Sequence, residues 1–169
     1  MGKNKLYFIG YGHMAEAIYQ RLNKSPYENI FLIEKDDERR IYIDKKKYAK
    51  TQSLKSLGGI KFYNSDIIIL AVKPNQIKSI CKEINSLILE EKDLPIVISI
   101  AAGVTTTSIK DYIIQDNLPQ LQSSLNIFRA MPNLCAINGD SVTGLFGSSI
   151  KDKFNLKNTV SEIFNSVGE

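Results

Sequence analysis

Apolar residues fall into short unbroken runs along this chain, and the stretches between the runs carry apolar residues at helical spacing. The first run, Leu6-Tyr7-Phe8-Ile9, leads directly into Gly10-Tyr11-Gly12-His13-Met14-Ala15. Beyond it Met14, Ala17, Ile18, Arg21 and Leu22 recur with one mostly apolar helical face. A second run, Asn29 to Ile33, follows the turn-forming segment Asn23-Lys24-Ser25-Pro26 and stops at Glu34. Asp36 to Lys47 is charged and reads as a helix. Tyr48 to Ser65 is mixed and reads as a short strand, a short helix around Leu54 to Leu57 and a Gly58-Gly59 turn. Asp66 to Val72 is a continuous apolar run of the kind a parallel strand shows when helices cover both of its faces, and it ends at Lys73-Pro74.

From Asn75 or Gln76 to Glu91, the positions of Ile77, Ile80, Ile84, Leu87 and Ile88 predict an amphipathic helix, and Pro95 to Ile100 is the next buried strand. Small residues, Ala101-Ala102-Gly103, precede a helix start at Thr105 to Ser108. Asn126 to Met131 and Ser141 to Phe146 read as later strands, and Asp152 to Val167 as a closing helix. Strand and helix alternate throughout. That alternation predicts an α/β fold, a Rossmann-like doubly wound and mostly parallel sheet with flanking helices, forming a single domain over residues 1–169.

In such a sheet ligands sit outside the carboxyl ends of the strands, which directs attention to the residues just past each apolar run. The first of these segments is a Gly-x-Gly-x-x-Ala turn opening a helix, the fingerprint of a dinucleotide site. Gly10 lets the chain turn sharply, Gly12 lets backbone approach a pyrophosphate, and Ala15 permits close helix-to-strand packing. The free N–H groups at the helix start favour a bound anion. Glu34 follows the second strand, where a carboxylate accepts hydrogen bonds from both adenine-ribose hydroxyls and repels a 2′-phosphate, and so favours NADH. Lys35, Arg39 and Arg40 follow closely and offer a 2′-phosphate a partner should Glu34 turn away.

The bulk numbers exclude more than they identify. At 169 residues, 43% hydrophobic and 24% charged, the chain is an ordinary globular domain. No apolar run approaches a membrane span and no signal-peptide pattern opens the chain, which predicts a cytoplasmic protein with no membrane partner. The net charge of +4 is mostly interleaved; its densest basic run, Lys45-Lys46-Lys47, has no aromatic platform and reads as a solvated helix face, so no nucleic acid is expected. One histidine and two cysteines, Cys81 and Cys135, lack metal-ligand spacing, which predicts reduced thiols and no metal.

Four segments in this order, Gly10-Tyr-Gly-His-Met-Ala15, Leu70-Ala-Val-Lys-Pro74, Ser99-Ile-Ala-Ala-Gly-Val104 and Arg129-Ala-Met-Pro-Asn133, closely resemble the pyrroline-5-carboxylate reductase family, and the resemblance runs from Lys5 to Glu169. It implies reduction of 1-pyrroline-5-carboxylate to proline, the last step of proline biosynthesis, by hydride transfer from NAD(P)H. It also implies that the Gly10 to Ala15 turn holds the pyrophosphate. Ala71, Val72, Lys73 and Pro74 would then line the adenosine side, Ala101, Ala102 and Gly103 would lie near the nicotinamide, and Met131, Pro132 and Asn133 would border nicotinamide and substrate. No catalytic side chain is implied by these segments.

Two local departures stand out: His13 where the family usually has Asn, and Leu134-Cys135 where it has Thr-Pro after Met-Pro-Asn. Family members also continue past this point into an α-helical domain that makes a homo-oligomer and supplies most of the substrate pocket. The resemblance therefore implies the N-terminal cofactor-binding half of such an enzyme, weakly active or inactive by itself. A stand-alone dinucleotide-binding, redox-sensing module is the alternative. Another nicotinamide dehydrogenase, such as a hydroxyacid type, would share the glycine turn but not ordinarily the later motifs.

Overall fold

The computed structural model describes residues 5–22, 29–48, 51–88, 90, 94–114, 121–147 and 153–168. The Asn23 to Pro26 turn, Glu91 and Asp152 lie outside these. Its strands are β1 (Lys5–Ile9), β2 (Asn29–Ile33), β3 (Thr51–Leu54), β4 (Ile67–Leu70), β5 (Ile96–Ser99), β6 (Ile127–Met131) and β7 (Gly144–Gly147). Its helices are α1 (His13–Leu22), α2 (Asp37–Lys45), α3 (Ile77–Asn85), α4 (Thr106–Ile114) and α5 (Lys153–Asn165). The strands form one seven-stranded sheet in the order β3-β2-β1-β4-β5-β6-β7, parallel except for the antiparallel pairing of β7 with β6.

Why the central strands read as unbroken apolar runs is now visible, since successive side chains enter different cores on the two faces of the sheet. Leu6, Phe8, Leu32, Ile67, Ile69 and Ile98 pack against α1 and the Val160, Ile163 and Phe164 side of α5. Tyr7, Ile9, Ile33, Ile68, Leu70 and Val97 pack against α3 and α4. The doubly wound architecture is the one expected from the sequence.

Several element boundaries differ. No helix forms at Leu54 to Leu57: Leu54 ends β3 beside Ile33, and Leu57 is instead buried as a loop residue under α3. Its N–H is held by the Glu83 carboxylate at 3.3 Å. Asp36 is the N-cap of α2, accepting from the Arg39 N–H at 2.7 Å, so the helix starts one residue later than the charge pattern suggested. The last strand starts at Gly144, because Ser141 is drawn into an isolated bridge with Gly168. A 3-10 turn at Leu134–Ile137, capped by the Asn133 side chain, was not anticipated.

Candidate dinucleotide site

One line of register crosses the sheet at its carboxyl edge: Ile33 lies beside Ile9, Ile9 beside Leu70, Leu70 beside Ser99 and Ser99 beside Arg129. Each sequence-derived candidate segment begins one or two residues beyond that line. Glu34, Gly10, Ala71, Ala101 and Met131 are thereby brought to one edge, across four strand spacings totalling about 19 Å. The middle of this edge is the topological switch point, where the chain leaves β1 for β2 on one side and returns at β4 on the other.

The glycine turn is shaped by crowding at that point. Gly10 has φ +88°, and a Cβ there would stand 2.8 Å from both the Ala71 carbonyl oxygen and Val72 Cγ1. Its N–H donates to the Ile33 carbonyl at 2.8 Å, and the Ala71 N–H donates to the Ile9 carbonyl at 2.8 Å, so all three strand ends are fixed to one another. Gly12 is the opposite case: a Cβ there would meet nothing within 4 Å. That open space, above the first N–H groups of α1, is what a pyrophosphate needs.

Beside the turn lies a cleft of about 300 Å³ lined by Gly10, Tyr11, Gly12, Glu34, Lys35, Ala71, Val72 and Lys73. Its far wall comes from residues that the sequence reading missed, Leu57, Gln76, Ser79, Ile80 and Glu83. Four of these form a stripe at i, i+3, i+4 and i+7 running from the turn after Pro74 into α3, a helical spacing that could have revealed them. Glu34 is held at the rim of the cleft, its carboxylate accepting from the Tyr11 N–H at 2.9 Å and the Asp36 N–H at 3.0 Å. Exposed Lys35 stands 3.8 Å from Glu83 across the same cleft.

The remaining candidates are distributed along the edge. His13 is exposed at the first turn of α1, Met14 packs against the core from a half-buried position, and Ala15 is buried against the sheet. Exposed Pro74 opens the short 3-10 turn that leads into α3. Ala101 is buried, while Ala102 and Gly103 form an exposed turn, with Gly103 at φ +74°. Met131 is 40% exposed at the end of β6. The Asn133 side chain accepts from the Cys135 N–H at 3.0 Å and its own N–H donates to Ser141 Oγ at 3.1 Å.

Tyr11 is placed differently from its neighbours in the motif. Its ring is fully buried, edge-on to Tyr19 and Tyr48, and burial drives its hydroxyl far above the usual tyrosine range. Only its backbone is at the turn. The basic residues after β2 also have partners within the protein: Arg39 pairs with Glu16 and Arg40 with Asp37, each at 2.7 Å.

A doubly wound sheet with a glycine turn at its switch point and an acidic residue at the end of β2 defines a Rossmann-type dinucleotide-binding domain. Residues 5–103 match the family described as NADP oxidoreductase coenzyme F420-dependent, and the chain belongs to that family. It is 30% identical over 172 residues to the pyrroline-5-carboxylate reductase of Pasteurella multocida, a match taking in 100% of this chain and 58% of that protein. A Coxiella burnetii pyrroline-5-carboxylate reductase structure superposes with a TM-score of 0.78 at 32% identity, covering 99% of this chain and 57% of the other. The Plasmodium falciparum enzyme with NADP bound gives a TM-score of 0.68 at 25% identity, with 99% and 56% covered. The chain thus matches the N-terminal NAD(P)-binding domain of pyrroline-5-carboxylate reductases and spans a little over half the length of these relatives.

Proposed function

We propose that this chain is the cofactor-binding half of an NAD(P)H-dependent reductase that converts 1-pyrroline-5-carboxylate to proline. The observation that carries the reading is the single register line that sets the Gly10 to Ala15 turn between Glu34 and Ala71, with the Ala101 and Met131 segments further along the same edge. Glu34 and α3 would hold the adenosine in the cleft between them, Gly12 and the start of α1 the pyrophosphate, and Ala102, Gly103 and Met131 the nicotinamide. Bound there, the nicotinamide supplies a hydride to the ring imine carbon. The chain's part is orientation: small side chains and backbone hold the ring at the sheet edge, and a protonated imine needs no nucleophile from the protein.

NADH is the preferred form in this reading. Glu34 is fixed at the cleft rim by two backbone N–H groups, where its carboxylate meets ribose hydroxyls and opposes a 2′-phosphate. Fluorescence titration of this chain with NADH and NADPH tests it, with NADH expected to bind more tightly and Glu34→Ser to move the preference toward NADPH. NADPH binding ten times tighter than NADH in the unaltered chain would overturn it. The reductase activity is tested by NADH oxidation with pyrroline-5-carboxylate, comparing this chain with any longer product of its reading frame. The chain alone is expected to bind cofactor and reduce the imine poorly or not at all. A longer product inactive with both cofactors, where a known reductase works, would sink the assignment.

A further inference from the structure

Arg39 stands on α2, outside the cleft, yet it reaches the glycine turn. Its Nε donates to the Tyr11 carbonyl at 2.8 Å and its Nη2 donates to the Glu16 carboxylate at 2.7 Å. Its guanidinium lies 4.6 Å from the Tyr42 ring centroid and 5.6 Å from that of Tyr11, in cation–π range of both. Glu16 is itself held by the Tyr42 hydroxyl at 2.6 Å. The residue between the two glycines is therefore gripped on both sides, with Glu34 on its N–H and Arg39 on its carbonyl.

Peptide geometry gives this grip a consequence. In a planar trans peptide the carbonyl and the following N–H point in opposite directions. Holding the Tyr11 carbonyl toward α2 therefore aims the Gly12 N–H away from α2, and at the Gly12 Cα the turn is open, since a Cβ there would meet nothing within 4 Å. We propose that Arg39, locked by Glu16, is a positioning residue that orients the Gly12 N–H toward the cofactor pyrophosphate, and that it is not a ligand of a 2′-phosphate. This inference rests on the dinucleotide reading above. Its signature is a loss shared equally by both cofactors, because the pyrophosphate is common to them and the 2′-phosphate is not.

The test uses Arg39→Met, which keeps the stem over the Tyr42 ring and removes the donors, with NADH, NADPH and adenosine as probes. Both dinucleotides are expected to bind about tenfold more weakly, as for loss of a charge-assisted hydrogen bond. Their ratio should stay unchanged, and adenosine, which has no pyrophosphate, should bind as before. Arg39→Lys should restore only part of the loss, since an ammonium on a single stem does not span both acceptors. Should Arg39→Met fail to fold, the isosteric Glu16→Gln supplies the readout, expected as a smaller loss of the same kind. A loss confined to NADPH would make Arg39 a phosphate ligand, and no loss would make it idle. A parallel loss of adenosine would make it a general fold contact. Each of these overturns the proposal. If the unaltered chain binds neither NADH nor NADPH, the dinucleotide reading itself fails, a result distinct from all of these.

Discussion

Gly10 and Gly12 sit two residues apart in one turn and answer to different constraints. At Gly10 any Cβ collides with the Ala71 carbonyl, which cannot retreat because the Ala71 N–H is bonded to Ile9 in the sheet, and φ +88° is itself unfavourable for an L side chain. Gly10→Ala should therefore destabilise the fold by about 2–4 kcal/mol, read as a lower denaturant midpoint. At Gly12 the added methyl enters open space, so Gly12→Ala should change stability by less than about 0.5 kcal/mol. The same methyl would occupy the proposed pyrophosphate position, and NADH affinity should drop at least about tenfold. Equal stability of the two variants would show that the turn is not crowded as described. These separate duties were legible from the Gly-x-Gly-x-x-Ala spacing, because only a turn and a close approach demand glycine there. The fate of Tyr11 was not: its N–H and its ring serve opposite sides of the turn, and the motif specifies the backbone alone.

Helices α1 and α2 meet through charge as well as apolar packing, and this is the join that the sequence conceals most. A glutamate in an amphipathic helix reads as solvated, yet Arg39, Tyr42 and Tyr48 from the following segments all hydrogen-bond to the Glu16 carboxylate. Burial works to raise its carboxyl, but the hydrogen bonds from Tyr42 and Arg39 and the Arg39 charge outweigh it and hold the group below its ordinary value of 4.5. A carboxyl depressed in the folded state stabilises the fold above its unfolded value, and that contribution is lost as pH falls through the folded one. Asp66 is shifted the other way by burial, so its contribution is lost as pH rises, and the two trends partly cancel in the whole protein. The difference between the unaltered chain and Glu16→Gln isolates the first. That difference in unfolding free energy should be constant near neutrality and shrink as pH is lowered past 4.5, measured by urea titration at each pH. A difference that persists unchanged into acid would remove the charge from the α1–α2 join. Element identity, by contrast, was largely readable. Continuous runs such as Ile67 to Leu70 have no polar face, so they fit only a strand covered on both sides, whereas Leu54 to Leu57 had no periodicity and its course was decided by Leu57 packing under α3.

At the scale of the whole molecule, the sheet separates two cores, and the two cysteines stand at different depths relative to them. Cys81 lies on the inner face of α3, fully buried among Ile77, Ile80 and Ile84, and burial pushes its thiol up to about 12. Cys135 is exposed just past β6. In the native chain a disulfide reagent should therefore modify one thiol rapidly, Cys135, while Cys81 reacts only through unfolding. A ligand that binds the native state alone suppresses that opening by the factor 1 + [L]/Kd, so NADH at a hundred times its Kd should slow Cys81 modification about a hundredfold. Time-resolved mass spectrometry of each cysteine peptide makes the measurement. Unslowed modification of Cys81 under saturating NADH would mean that α3 lifts off locally with the cofactor still bound, contrary to a helix that both closes one core and walls the cleft through Ser79, Ile80 and Glu83.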